Sequence, residues 1–132
     1  MSQENVEIVR RAYERVTASL EMPLGLYAPD LVLDASDVSP DFGVVNGREA
    51  AQEALRGYWE TFQGYYVEMG ELIHADETYV INVALDRGRL RDSEAEVENR
   101  YFHVWAFASG TIVRLAIYGD RSRALKAVGL EE

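Results

Sequence analysis

The chain has 132 residues, enough for one domain (1–132) with a real hydrophobic core, and it contains no apolar run of the ~20 residues that a membrane helix needs. Its formal net charge of −10 disfavours nucleic acid and anionic membrane surfaces as partners, because both would repel it. The absence of cysteine excludes disulfides, thiol nucleophiles and thiolate metal sites. Since the N-terminal MSQENVEIVRR also lacks the apolar segment of a secretory signal, we expect a cytoplasmic protein.

Two amphipathic helices are predicted in the first half of the chain. In residues 4–20 the apolar side chains recur at spacings of three and four, and those on the shared face are Val6, Val9, Tyr13, Val16 and Leu20. Prolines and glycines interrupt the next segment, so only a short turn of helix is predicted there before Leu31, Val32 and Leu33 begin a brief strand. A loop at 39–45 and an Asn46-Gly47 turn then precede a second predicted helix at 48–62.

Four strands and a closing helix are predicted after Gly64, where the apolar spacing becomes alternating. The strands are 65–74, 78–89, 95–108 and 111–118, with Ser109-Gly110 as the last tight turn. Asp120 is predicted to cap a helix at 121–128, which Gly129 ends. Helices followed by a run of strands predict an α+β fold, in which a curved antiparallel sheet wraps around helices to form a cone with an internal pocket.

Several short motifs, in this order along the chain, carry a resemblance to a known family. They are LYAPDLVLDAS at 26–36, NGREAAQEAL at 46–55, DRGRLRDS at 86–93, IVRL at 112–115 and DRSRALKAVGL at 120–130. Together they resemble a SnoaL-like domain of the nuclear transport factor 2-like superfamily, which is also described as ketosteroid isomerase-like or cystatin-like. This superfamily contains isomerases, cyclases, epoxide hydrolases and non-catalytic binding modules, so the resemblance implies a fold and leaves the function open.

The strand at 95–108 carries apolar residues on both faces. Alternation separates the odd-numbered set from the even-numbered set, which are Tyr101, His103, Trp105 and Phe107, and Phe102, Val104 and Ala106. We therefore expect both faces to be covered, one by the helices and the pocket and the other by a second subunit in a homodimer. The resemblance assigns the odd-numbered set to the pocket and implies that the last strand adds Val113, Leu115 and Ile117.

Tyr13 and His103 are the candidate catalytic residues that the resemblance implies. Tyr13, within RRAYERV, is similar in position to a tyrosine in the oxyanion hole of ketosteroid isomerases, and His103 falls at the place of that site's protonated aspartate. A phenol and an imidazole in an apolar pocket could together hold a carbonyl or enolate oxygen. The alternative is that both are core side chains whose polar atoms are hydrogen-bonded within the fold.

The carboxylates that the related enzymes use are missing from the corresponding positions. Ala35 falls at the place of the ketosteroid isomerase base, and its neighbour Asp34 points to the opposite face of the strand. SnoaL-type cyclases and epoxide hydrolases use an acid on the last strand, where this chain has Ile117. Asp34 is thus either a candidate catalytic base or a strand-end or turn-capping carboxylate, and we expect little or no ketosteroid isomerase activity.

The sequence predicts neither a cofactor nor a metal site. It lacks glycine-rich phosphate-binding motifs, and His74 and His103 do not have the spacing of metal ligands. Arg87, Arg89 and Arg91 alternate along the chain, and they could hold a carboxylate ligand or form a solvated, charged strand edge.

The favoured function is the binding of a small, largely hydrophobic molecule in the pocket. The side chains expected to contact this ligand are Tyr13, Trp59, His103, Trp105, Leu115 and Ile117. An isomerase or cyclase that acts on a carbonyl compound by proton transfer is one alternative. Another is a dimeric interaction module whose pocket is filled by bulky side chains.

Overall fold

Two helices pack on the inner face of a six-stranded sheet, and a third, short helix packs on its outer face. The computed structural model describes residues 2–130. The helices are α1 (Ser2–Ser19), α2 (Arg48–Trp59) and α3 (Arg121–Ala127), and the strands are β1 (Tyr27–Asp34), β2 (Val44–Asn46), β3 (Phe62–Ala75), β4 (Tyr79–Leu90), β5 (Glu96–Ala108) and β6 (Thr111–Tyr118). No helix within these residues has the length and apolar character of a membrane span.

The sheet is mixed and open, with the strand order β2-β1-β6-β5-β4-β3. The predicted α+β class and curved sheet are confirmed. β3 to β6 form the predicted antiparallel meander, but β1 pairs with β6 in parallel, so the sheet is not antiparallel throughout. A parallel pair needs a long connection, which α2 and four intervening strands provide here.

Most element boundaries lie within three residues of their predicted positions, and β1 and β2 are the main differences. β1 begins at Tyr27 instead of residue 31 and includes Pro29, where the pairing with β6 is irregular and a missing N–H is tolerated. Val44–Asn46, predicted as loop and turn, forms a short edge strand against β1. The turn between β5 and β6 has positive φ at Ser109 (51°) and Gly110 (78°), which suits a two-residue hairpin.

The main core lies between the inner face of the sheet, α1 and α2. Trp105 and Phe107 belong to it, so the odd-numbered residues of β5 face inward. The pairing of β5 with β6 shifts register between Ala106 and Phe107 of β5. As a result, Ile112 of β6 lies in the core in place of the expected Val113. The inward face of the sheet is therefore the one that the resemblance implied, apart from this shift.

α3 covers the part of the outer face at which the sequence suggested a second subunit. Phe102 and Val104 are only 8% and 4% exposed, because Ala124 and Leu125 of α3 pack in the same cluster. The expected apolar stripe is therefore largely buried within one chain, and it does not by itself require a dimer. As predicted, Asp120 caps α3, and its Oδ1 accepts a hydrogen bond from the N–H of Arg123 at 2.8 Å.

Candidate functional site

An internal cavity of about 330 Å³ lies between α1, α2 and the inner face of the sheet. Its walls are mainly apolar and aromatic, and they include the four side chains predicted to bind a ligand: Trp59, Trp105, Leu115 and Ile117. Tyr13, from the inward face of α1, and His103, from β5, also line it. The cavity thus brings together all the predicted site residues except Asp34.

A chain of hydrogen bonds connects four side chains at one end of the cavity. The indole N–H of Trp105 donates to Oδ1 of Asn82 at 2.9 Å, and Nδ2 of Asn82 donates to the hydroxyl of Tyr13 at 2.8 Å. The Tyr13 hydroxyl is in turn 2.7 Å from Nδ1 of His103. Asn82 is fully buried. Both hydrogens of its Nδ2 are donated, one to Tyr13 and the other to the carbonyl of Val83 at 3.0 Å.

The protonation states of Tyr13 and His103 indicate which of the two residues donates in the hydrogen bond between them. Burial raises the pKa of Tyr13 and lowers the pKa of His103 from 6.5 to about 4, so the phenol keeps its proton and the imidazole is neutral at pH 7. The Tyr13 hydroxyl accepts from Asn82, and Nδ1 of His103 is the remaining partner that the described residues offer its proton, so we infer that Tyr13 donates to Nδ1. We infer that the ring proton of His103 is on Nε2, which has no hydrogen-bond acceptor among residues 2–130 and can donate to a ligand.

Ring packing holds Tyr13 and His103 in this arrangement. Their rings are stacked, with centroids 5.8 Å apart and planes 9° apart, and Trp105 meets both rings edge-on at 5.7 and 5.9 Å. Contacts of this kind restrict the side-chain torsions of Tyr13 on α1 and of His103 on β5. The donor at His103 is therefore well oriented before any ligand arrives.

A second polar group, Asp86 of β4, lines another part of the cavity. Its side chain is 4% exposed, and its Oδ2 accepts hydrogen bonds from the hydroxyls of Tyr58 and Tyr65, both at 2.8 Å. Its Oδ1 is buried without a hydrogen-bond partner in the described part of the chain. Burial, and then the negative charge of Asp86, raise the pKa of Tyr58 and of Tyr65, so both phenols remain donors.

Asp34 lies outside the cavity, on the other face of β1. Its carboxylate accepts hydrogen bonds from the backbone N–H and the hydroxyl of Ser36, and it forms an ion pair with Arg114 at 2.6 Å. Burial acts to raise its pKa, but the bonds from Ser36 and the charge of Arg114 outweigh this effect, and the pKa is lowered. Its neighbour Ala35 lines the cavity, so the structure does not bring Asp34 to the other candidate residues.

Residues 9–115 match the sequence model of the SnoaL-like domain family. The chain belongs to this family. No protein with a curated function matches the sequence of this SnoaL-like domain. The family places the cavity in a fold whose members differ in activity, so the site itself must carry any argument about function.

Solved structures of the same fold cover most of this SnoaL-like domain. Bal32a, from a soil-derived mobile gene cassette, is 18% identical with a TM-score of 0.77, covering 89% of each chain. TerC, co-crystallised with polyporic acid, is 16% identical with a TM-score of 0.74, covering 89% of this chain and 92% of its own. An LEH-like epoxide hydrolase from M. tuberculosis is 18% identical with a TM-score of 0.71, covering 90% of this chain and 84% of its own. At these identities the similarity shows the fold alone.

Sequence reasoning missed Asn82 and Asp86, although strand alternation held a signal for both. Residues 80, 82, 84 and 86 share one face of β4, and Asn82 pairs with His103 across the sheet. Two polar residues therefore lie in line with inward-facing Val80 and Ala84. Asp86 also begins the charged DRGRLRDS run, and such a run favours an exposed position over the inward one that the structure shows.

The three arginines of that run do not line the cavity of this SnoaL-like domain. Arg87 is paired with Glu98 at 2.8 Å and Arg89 with Glu96 at 3.2 Å, while Arg91 donates to the carbonyl of Glu60 at 2.9 Å. These contacts are those of a charged outer edge. Nε2 of His74 is 2.7 Å from Oδ2 of Asp76. Residues 2–130 contain no cluster of three side chains that could hold a metal ion.

Proposed function

We propose that this SnoaL-like domain binds a small, largely apolar molecule that carries a hydrogen-bond acceptor. The observation that carries the proposal is the internal cavity of about 330 Å³, which has mostly apolar walls and is lined by His103, the residue whose Nε2–H we infer to be free to donate. This volume is at the lower end of the range for small-molecule sites, roughly 300–1,000 Å³. A carbonyl oxygen is the simplest acceptor for such a donor, and the apolar remainder of the ligand would contact Trp59, Trp105 and Leu115.

The arrangement of carboxylates favours binding over proton transfer. Ala35 and Ile117, at the places where related enzymes carry an acid or base, are apolar and line the cavity. Asp34 is outside it, and Asp86 is four residues along β4 from Asn82, the cross-strand partner of His103, or about 13 Å of strand. A catalytic base must approach the proton that it removes to within hydrogen-bond distance, and neither aspartate is next to the Tyr13–His103 pair. An open cavity also argues against a filled, vestigial pocket.

Titration with two apolar ketones, 4-phenyl-2-butanone and 2-tetralone, tests the proposal by calorimetry and saturation-transfer NMR. We expect saturable binding with one site per chain. Ala12→Leu enlarges a cavity-lining residue of α1 and should weaken binding by about tenfold or more, which is about 1.4 kcal/mol. Ala50→Leu is the matched control, because Ala50 is an exposed alanine of α2, and it should bind like the wild type.

Two results would contradict the proposal. One is that neither ketone binds the folded wild-type protein. The other is that Ala12→Leu, shown by circular dichroism to be folded, binds both ketones with wild-type affinity, since the ligand would then occupy some other surface.

A homodimer and a cytoplasmic location stay predictions from the sequence. The support for a dimer now comes from a different part of the outer face, where Ile73, Tyr79 and Leu85 of β3 and β4 are only partly buried. These side chains lie beyond β5 and β6, the strands on which α3 packs.

A further inference from the structure

The environment of Asp86 differs from that of two other carboxylates, Asp34 and Asp37. Asp34 and Asp37 each pair with an arginine near the surface, whereas Asp86 is 4% exposed and its hydrogen-bond donors are two neutral phenols. Both phenols bind the same oxygen, Oδ2. The second oxygen, Oδ1, is buried with no partner in residues 2–130, and Asp86 lines the cavity.

No basic side chain among residues 2–130 forms an ion pair with Asp86. The adjacent Arg87 points to the other face of the sheet, where it bonds with Tyr66 and Glu98. A buried carboxylate without a positive partner is costly, by several kcal/mol for the ion alone, and hydrogen bonds from two hydroxyls compensate only part of that cost. Within residues 2–130, Oδ1 of Asp86 thus has no hydrogen-bond partner, and a donor from outside the chain would offset this cost.

The surroundings of this oxygen suit an organic cation. Tyr58, Trp59 and Tyr65 line the same cavity, with ring centroids 5.9 Å apart for Tyr58 and Tyr65 and 6.2 Å apart for Trp59 and Tyr65. Aromatic faces near a carboxylate stabilise ammonium groups by cation–π attraction. The net charge of −10 also favours the approach of a cation to the protein.

We propose that Asp86, supported by Tyr58 and Tyr65, recognises a protonated amine on the molecule that occupies the cavity. The inference rests on the proposed function and defines its ligand class further. With the His103 donor about 13 Å of strand away, the preferred ligand is an apolar amine whose other end carries a hydrogen-bond acceptor. The ammonium would bind the Asp86 carboxylate from the cavity, and the two tyrosine hydrogen bonds to Oδ2 would stay in place.

Three probes of nearly equal size test the charge preference: 2-phenylethylamine, 2-phenylethanol and phenylacetate. Their affinities for the wild-type protein are measured by calorimetry at pH 7, where the amine is protonated. We expect the amine to bind about tenfold or more tightly than the alcohol, because a hydrogen bond to a charged group is stronger than one between neutral groups. We expect phenylacetate to bind most weakly.

Substitution at position 86 shows whether this preference comes from the carboxylate. Asp86→Asn should lower the affinity for the amine by about tenfold or more while leaving the affinity for the alcohol within about twofold. Asp92→Asn changes the net charge by the same amount at an exposed turn, so it is the matched control and should behave like the wild type.

The outcomes separate this inference from the proposed function. If the alcohol or the ketones bind but the amine binds no more tightly than the alcohol, the amine site is refuted and the cavity remains a ligand site. Retention of the amine preference by folded Asp86→Asn also refutes it. If no probe and no ketone binds, both proposals fail. Should Asp86→Asn not fold, the ranking of the three probes on the wild type decides.

Discussion

His103 is neutral at pH 7 because the protein interior destabilises its charged form. No carboxylate forms an ion pair with it among residues 2–130, and burial lowers its pKa from 6.5 to about 4. The neutral ring can accept the Tyr13 proton at Nδ1 and still donate from Nε2, whereas the charged ring could not accept it. Protonation of His103 would therefore affect both the stability of the fold, through the Tyr13–His103 hydrogen bond, and the donor that His103 offers to the cavity.

We predict that stability falls as the pH is lowered from about 6.5 to about 4. In this window the unfolded chain protonates His103 and the folded chain does not, so protons favour unfolding. Below about pH 4 both states are protonated, so the loss of stability has reached its full value and no longer changes with pH. The difference in pKa corresponds to roughly 3 kcal/mol at most. Urea unfolding of the wild type and His103→Gln across this range checks it. Parallel stability curves for the two proteins would contradict the prediction.

Tyr13→Phe should reduce the free energy of unfolding by about 1–3 kcal/mol. The change removes one hydroxyl and leaves a donor of Asn82 and an acceptor of His103 unpaired in the interior. Tyr27→Phe is the matched control: Tyr27 is a buried, cavity-lining tyrosine, and no hydrogen bond of its hydroxyl is seen in the described chain. We expect a change below about 0.5 kcal/mol for it. Equal losses in urea unfolding would show that the Tyr13 network does not stabilise the fold.

The sequence identified Tyr13 and His103 as partners, but not the remaining polar residues of the cavity. Helical spacing points Tyr13 inward, and strand alternation places His103 on the same face as Trp105. The family resemblance assigned that face to the pocket and joined the two residues. Asp86 lacked such a guide, because its partners Tyr58 and Tyr65 lie 28 and 21 residues away on other elements. Local patterns show which face a residue occupies, and they do not show which distant side chains meet it there.

At the scale of elements, α3 covers the part of the outer face of β5 for which the sequence suggested a second subunit. Strand alternation correctly gave β5 two apolar faces, and the boundaries of the meander followed from local signals. What covers each face depends on how the tail folds back, and the parallel β1–β6 pair is equally non-local. Both differences from prediction thus arise where segments distant in the sequence meet. Local sequence patterns are compatible with several such pairings and do not select one of them.

Asp120→Ala should destabilise the protein by about 1 kcal/mol, because the first turn of α3 loses its N-cap acceptor. Asp120 also forms an ion pair with the Arg123 side chain, so the two effects must be separated. Asp120→Asn keeps a capping oxygen and removes the charge, and we expect it to lose less than half as much. Thermal unfolding measures both variants. Equal destabilisation by the two changes would assign the effect to the ion pair, against the capping argument.

At the scale of the whole molecule, apolar attraction and net charge act on association in opposite directions. The partly exposed side chains Ile73, Tyr79 and Leu85 form an apolar set on the outer face beyond α3. Burying it against a second copy would remove apolar surface from water, which favours a symmetric dimer. Each chain carries a net charge of −10, however, so two copies repel one another at low ionic strength.

We therefore predict a dimer at micromolar concentration whose dissociation constant decreases as salt is raised from roughly 0.02 to 0.5 M, because the ions screen the repulsion but leave the apolar contact intact. Ile73→Lys should shift the protein to a monomer even at high salt, since it places an ammonium in the proposed contact. Val44→Lys adds the same charge at the exposed edge strand β2 and should remain dimeric. Light scattering with sedimentation measures the mass of each protein. A wild-type monomer at every salt concentration, or equal behaviour of the two lysine variants, would show that this face does not mediate association.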